Sequence, residues 1–295
     1  MATVVGFISE KGGVGKTTAC YHIAVALSRF EGMRVLVIDA DYQRGGISGR
    51  FFPKLIEGFG TGTPAGTTLF NKFQQLYSAT LETPDIDIHP CGGGIELIPA
   101  DPRLSTVSVD KLPSTNNIRE NNMSLLAHMK TISFVLNGLR ERYEYILIDS
   151  HPEVSDVLRS IIYVADHCVS PVKLDRQSSI GVATVIGEIA NVNNDIAMIR
   201  RSLGVEDGYR DTRFSGAIGM MAREYSEELK QSEQLEYNRL RRSGEIFSNY
   251  VTEGDGLRIA AANRQPVFDV SGANAAKQAA QFRALTKEFM QVCPL

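Results

Sequence analysis

Cysteine is scarce in this sequence, and the four present (Cys20, Cys91, Cys168, Cys293) stand far apart with no C-x-x-C pair. That argues against a disulfide framework or a zinc knuckle and fits a reducing cytosol. Net charge is also nearly absent. A value of −3 over 295 residues rules out a generally basic, histone-like binder, although it leaves room for a local basic patch. No apolar run approaches the roughly 18 residues of a membrane span. The opening "TVVGFI" has no basic segment before it and reads as a first strand, not a signal peptide. Near the other end, "AAKQAAQFRALTKEFMQVCPL" puts Ala279, Phe282, Leu285 and Phe289 on one helical face. It lacks the dense Lys/Arg face of a membrane-surface helix, so it is expected to dock on a core. A soluble, cytoplasmic protein with no membrane partner is expected.

What the sequence does have is alternation. Short β-rich runs ("TVVGFI", "RVLVIDAD", "YILIDS", "HCVSPV", "FSGAIGMM") are separated by helical patterns ("TTACYHIAVALSRF", "MSLLAHMKTISFVLNGLRERY", "VSDVLRSIIYVAD", "SSIGVATVIGEIANV"). The stretch "EYSEELKQSEQLEYNRLRRSG" reads as one strongly charged helix. Alternation of this kind predicts an α/β fold, a mostly parallel twisted sheet with helices on both faces, and ligands at the carboxyl ends of its strands. One domain over 1–295 is expected. The Gly-, Thr-, Pro- and Asn-rich part 51–122 reads as variable insertions and loops.

Between the first strand and first helix stands "FISEKGGVGKTT". It follows the phosphate-loop pattern Gly-x-x-x-x-Gly-Lys-[Ser/Thr], except that Glu10 replaces the first glycine. Gly12, Gly13 and Gly15, with Val14 between them, let the backbone curl so that N–H groups face an anion. The helix starting near Lys16 adds its positive end. Lys16 is expected to reach the β- and γ-phosphates, and the Thr17 hydroxyl to ligate Mg²⁺. Glu10 is expected to point away, since a carboxylate aimed into the loop would repel phosphate. Lys11 is surplus to one nucleotide's needs. It is either a solvated surface lysine or a cation serving a nucleotide bound by a second copy. Two further strands end in acids: "VLVIDADYQ", with Asp39 and Asp41, and "YILIDSHP", with Asp149. A carboxylate there can orient an attacking water or hold a metal's water shell, and equally can be a strand-end turn residue. His151 reads as a loop histidine near the site.

The strings "KGGVGKTT", "DADYQ" and "ILIDSHP" together resemble the deviant Walker A ATPases, a P-loop NTPase group, and most closely the ParA-type partition ATPases of the ParA/MinD superfamily. "VADHCVSPVKLDRQSSIG" and "VTEGDGLRIAAANRQPVFD" agree, so the resemblance spans roughly residues 3–290. It implies ATP and Mg²⁺ as ligands and an ATP-dependent homodimer. It makes Lys11 the lysine that crosses to the partner's ATP, and gives Thr18 the α-phosphate. Asp41 would position the hydrolytic water, and Asp39 and Asp149 would act on the magnesium through water. Base contacts fall near Met221 and Thr252. Tyr42, Thr252 and Ile259 depart from residues frequent in the family.

The membrane-cycling MinD branch usually has a glycine where this chain has Gln43, and it ends in a basic amphipathic helix; neither feature is present. ATP-dependent synthetases of the same superfamily are a further alternative. The resemblance implies nonspecific DNA binding by the ATP-bound dimer, nucleoid association, and an adaptor of ParB type, or a cargo-specific one, that stimulates hydrolysis. The first strand begins at residue 3, so no N-terminal helix-turn-helix domain is expected. Residues 200–264 hold 11 basic and 11 acidic side chains, so only spatial segregation would create a DNA-binding face. Arg223, Arg239, Arg241 and Arg242 are its candidates.

Overall fold

The protein is seen in a computed structural model that describes residues 1–43, 46–53, 66–78, 81–206 and 209–295, Ser179 by its backbone only. Much of "GFGTGTPAGTT" therefore lies outside the described residues. Five strands carry the expected runs: β1 (Thr3–Phe7), β2 (Val35–Ala40), β5 (Tyr145–Ser150), β6 (His167–Val172) and β7 (Arg213–Gly219). Two more, β3 (His89–Gly92) and β4 (Ile95–Ile98), come from the segment expected to be variable insertions and loops. The sheet order is β3-β4-β2-β5-β1-β6-β7, parallel throughout except for the β3–β4 hairpin. That segment therefore builds one edge of the sheet.

Both faces are covered, and the strands show it residue by residue. Val5, Phe7, Val37 and Leu147 join a core with α1 (Lys16–Glu31) and the last helix. Their neighbours Val4, Leu36, Ile38, Ile146 and Ile148 point the other way. They pack against α4 (Ile118–Met129), α5 (Thr131–Val135), α6 (Asp156–Val164) and α7 (Arg176–Leu203). Strands buried on both faces are continuously apolar, which explains "VVGF" and "YILI". Among the described residues, two short α-helices, α2 (Ile47–Phe51) and α3 (Leu69–Gln74), lie between α1 and α4.

Two helical expectations need correction. The single helix expected over 123–143 is broken: α4 ends at Met129, α5 is one short turn further on, and Gly138 takes a left-handed conformation (φ 78°). The charged helix expected from residue 224 begins as a small hairpin, β8 (Glu224–Tyr225) and β9 (Glu228–Leu229). Ser226 and Glu227 turn it with φ of 52° and 68°, and only then does α8 (Gln231–Arg242) start. Next comes α9 (Asp255–Ala262), and α10 (Ala273–Val292) closes the fold. Phe282, Leu285 and Phe289 of α10 are fully buried, so it docks as its periodicity predicts. Among the described residues no helix is long and apolar enough to cross a membrane.

Candidate active site

The carboxyl ends of β1, β2 and β5 meet beneath one cavity of about 300 Å³. Lys11, Gly12, Gly13, Gly15, Lys16, Thr17, Thr18, Asp41, Gln43, Pro152 and Met221 line it, so most of the residues picked from separate motifs share one wall. Gly13 and Gly15 adopt φ of 72° and 93°, a left-handed curl of the kind that turns backbone N–H groups toward one concavity. Gly15 has a second constraint, because a Cβ there would lie 3.2 Å from Met220. Val14 is buried and does not line the cavity, so its contribution would be through its backbone. Glu10 is exposed, its carboxylate lying against Gly181 of α7, away from the loop as expected.

Lys16 is buried under the loop. Its Nζ donates to Asp149 Oδ1 at 3.0 Å and to the Ser150 carbonyl, and stands 3.9 Å from Asp41 Oδ2. Register alone puts Asp39 beside Asp149, since the two are paired positions on adjacent parallel strands. Asp39 accepts from the Asp41 N–H (3.1 Å), the Ser48 N–H (2.8 Å) and the Ser48 hydroxyl (2.6 Å). Burial, with the Asp149 charge adding to it, still pushes its carboxyl up to about 7. Asp41 is likewise raised by burial. Lys16 is thus shared by the buried Asp149 and Asp41, with Asp39 buried beside Asp149, and Asp149 Oδ2 has no hydrogen-bond partner. That excess of acidic groups and the orphaned oxygen, with the Thr17 hydroxyl among the cavity-lining groups, fit a magnesium ion. Among the described residues no group of three His, Cys, Asp or Glu could hold a metal unaided.

Several features were not foreseen. Tyr42 stacks on His151 with ring centroids 3.8 Å apart and 16° between planes. Arg50 of α2 donates to Thr18 Oγ1 at 3.1 Å, and burial lowers its pKa. Thr252 does not join the cavity lining. Its N–H and hydroxyl both turn to Gln281 of α10 (3.0 Å each) and its carbonyl to Gln278 (2.8 Å). Met221 does line the cavity, held at φ 53°. Lys11 is exposed and donates to Gln177 of its own chain at 3.1 Å. Of the DNA candidates, Arg223 is paired with Glu233 and Arg239 lies 3.9 Å from Glu236. Arg241 and Arg242 are exposed on the last turn of α8.

The AAA domain family matches residues 2–203. The chromosome-partitioning ATPase Soj of Thermus thermophilus is 27% identical over 202 residues, 68% of this chain and 67% of Soj. Among solved structures, the ATP complex of a Cyanothece McdA variant superposes with a TM-score of 0.71 at 16% identity, covering 98% of this chain and 96% of that one. Cobyrinic acid a,c-diamide synthase from Mycobacterium smegmatis, with bound ADP and magnesium, gives 0.61 at 17% identity, covering 98% and 96%. At such identities the structural likenesses establish the fold alone.

Proposed function

The chain belongs to the AAA domain family as a ParA-type ATPase of the ParA/MinD superfamily, and from that premise we propose that it is a cytoplasmic, ATP-dependent positioning switch acting as one domain. The observation that carries this reading is the convergence of Lys11, Lys16, Thr17 and Asp41 on one cavity beneath a glycine curl. The loop backbone and Lys16 bind the β- and γ-phosphates, and Thr18, steadied by Arg50, meets the α-phosphate. Thr17 would hold Mg²⁺, with Asp39 and Asp149 supporting it through water. The chemistry supplied there by a bound ion would be neutralisation of charge on the phosphate oxygens. Asp41 orients the attacking water. Lys11 leaves Gln177 and crosses to a second copy's nucleotide, so that two ATP molecules are sandwiched in a dimer. That dimer binds DNA without sequence preference on the nucleoid, and an adaptor of ParB type or a cargo-specific analogue stimulates hydrolysis. Loss of the γ-phosphate then releases the interface. The cargo is DNA, plasmid or chromosomal, or a protein assembly.

Size-exclusion chromatography with ATP and Mg²⁺, beside a phosphate-release assay, tests the switch. Wild type is expected to dimerise and hydrolyse ATP, and Asp41→Ala to accumulate dimer. Lys11→Ala is expected to lose hydrolysis and weaken the dimer. A Lys11→Ala monomer hydrolysing at the wild-type rate would sink the sandwich. The fold shared with a diamide synthase favours a second reading, a small-molecule synthetase. That enzyme would turn over ATP only with an acid substrate present, indifferent to DNA.

A further inference from the structure

His151 stands outside every role assigned so far, yet its ring is held more firmly than a loop residue requires. Its side chain is only 4% exposed. The Glu153 N–H donates to Nδ1 at 3.2 Å, which makes Nδ1 the acceptor and leaves the ring proton on Nε2. Tyr42 covers one face of the ring and sends its hydroxyl to Glu153 Oε2 at 3.2 Å, so the residues on either side of the histidine are tied together. Despite this clamp, Nε2 is buried without a hydrogen-bond partner. A buried N–H left unpaired is costly, and a functional role that supplies its partner is one recognised reason for keeping it. The polar atom it faces is Asp41 Oδ1, 3.9 Å away.

The two oxygens of Asp41 are not equivalent. Oδ1 already accepts from the Gln43 N–H at 2.9 Å and faces His151, whereas Oδ2 faces Lys16. Resting on the hydrolysis reading above, we infer that His151 is a positioning residue for ATP hydrolysis: its Nε2–H closes on Asp41 Oδ1 when Lys16 turns to the phosphates, leaving Oδ2 to the attacking water. A rotation of the Asp41 side chain that moves Oδ1 by about an ångström converts 3.9 Å into a hydrogen bond. In the reaction the water oxygen bonds to the γ-phosphorus. The bond from that phosphorus to the β–γ bridging oxygen breaks, and ADP leaves with its electron pair. The water proton ends on phosphate or in solvent. His151 begins and ends the cycle as the same donor. Tyr42, the residue beside Asp41, is thereby part of the same support.

Two variants separate the donor from the ring. His151→Phe keeps an aromatic ring for Tyr42 but has no N–H, and His151→Gln restores a donor near the position of Nε2. Steady-state hydrolysis of ATP gives kcat and KM, binding of a fluorescent ATP analogue gives affinity, and a thermal melt checks the fold. His151→Phe is expected to lower kcat about tenfold, the worth of one charge-assisted hydrogen bond, with KM and analogue affinity within about twofold of wild type. His151→Gln should regain most of that loss. The inference falls if His151→Phe keeps kcat within about twofold of wild type. It also falls if both variants lose kcat equally, or if affinity and melting temperature drop in step with kcat. A wild-type protein that binds the analogue but never hydrolyses ATP would overturn the functional reading, and this inference with it.

Discussion

His22, one turn past the phosphate loop in α1, is built into the fold by both ring nitrogens. Nδ1 donates to the Thr18 carbonyl (2.8 Å), Nε2 accepts from the Val267 N–H (3.0 Å), and the ring stacks on Phe282 at 4.5 Å. Burial drives its pKa down to about 3, and that of His128 to about 4. Both lie below the ordinary value, so the unfolded chain takes up these protons first. Stability should be complete above about pH 6.5 and fall as pH drops toward 4, by at most about 1.4 kcal/mol per pH unit for each histidine. His22→Leu should melt lower at pH 7.5, because the buried Val267 N–H loses its acceptor at a cost of about 1–3 kcal/mol. Its melting temperature should then fall less on acidification to pH 5. Other titrating groups are shared by the two proteins, so a gap between the two melting curves that fails to narrow would contradict this account.

At the scale of elements, the last helix shows how much of the fold was legible. Phe282, Leu285 and Phe289 recur at helical spacing, and all three are fully buried. Phe289 packs between Phe7 of β1 (6.1 Å between ring centroids, 19°) and Tyr145 of β5 (5.7 Å). Phe289→Ala should therefore cost about 3–5 kcal/mol in a denaturant melt, the range for emptying a buried aromatic site. Surface-like behaviour, below about 1 kcal/mol, would mean that α10 does not dock. The five apolar strands were equally plain, because a strand covered on both faces cannot hide its composition. β3 was missed because "HPCG" is half-exposed at the sheet edge and carries no apolar pattern, and β4 because its buried run "IELI" is only four residues long. The β8–β9 hairpin was missed because its turn uses Ser226 and Glu227 at positive φ, where glycine is the usual signal. In the site, the glycine curl and strand-end acids were readable because local geometry dictates them. The Tyr42–His151 stack and the Arg50–Thr18 contact join residues far apart in sequence, and no local pattern announces such pairs.

For the whole molecule, the proposed chemistry sits at the carboxyl ends of the strands while charge is evenly mixed over residues 200–264. On the proposed reading, DNA binding would come from a face that nucleotide assembles and not from bulk charge. Fluorescence anisotropy with duplexes of unrelated sequence should detect binding only with ATP and Mg²⁺. Affinity should fall steeply between about 50 and 200 mM salt. The double change Arg241→Ala/Arg242→Ala should flatten the log–log salt slope by about 0.9 for each phosphate contact removed. Equal binding without nucleotide, or an unchanged slope, would move the DNA face elsewhere. The two ends of the chain lie at the opposite, amino-terminal ends of the strands. The Thr3 hydroxyl donates to the Pro294 carbonyl at 2.7 Å, and the Tyr145 hydroxyl to that of Cys293 at 2.9 Å. Both termini are thus latched to the starting ends of the central strands, about 16 Å of β-strand from the phosphate loop. A fluorophore or surface tether attached to either terminus would be anchored on the far side of the sheet from the phosphate loop, leaving the nucleotide cavity unobstructed.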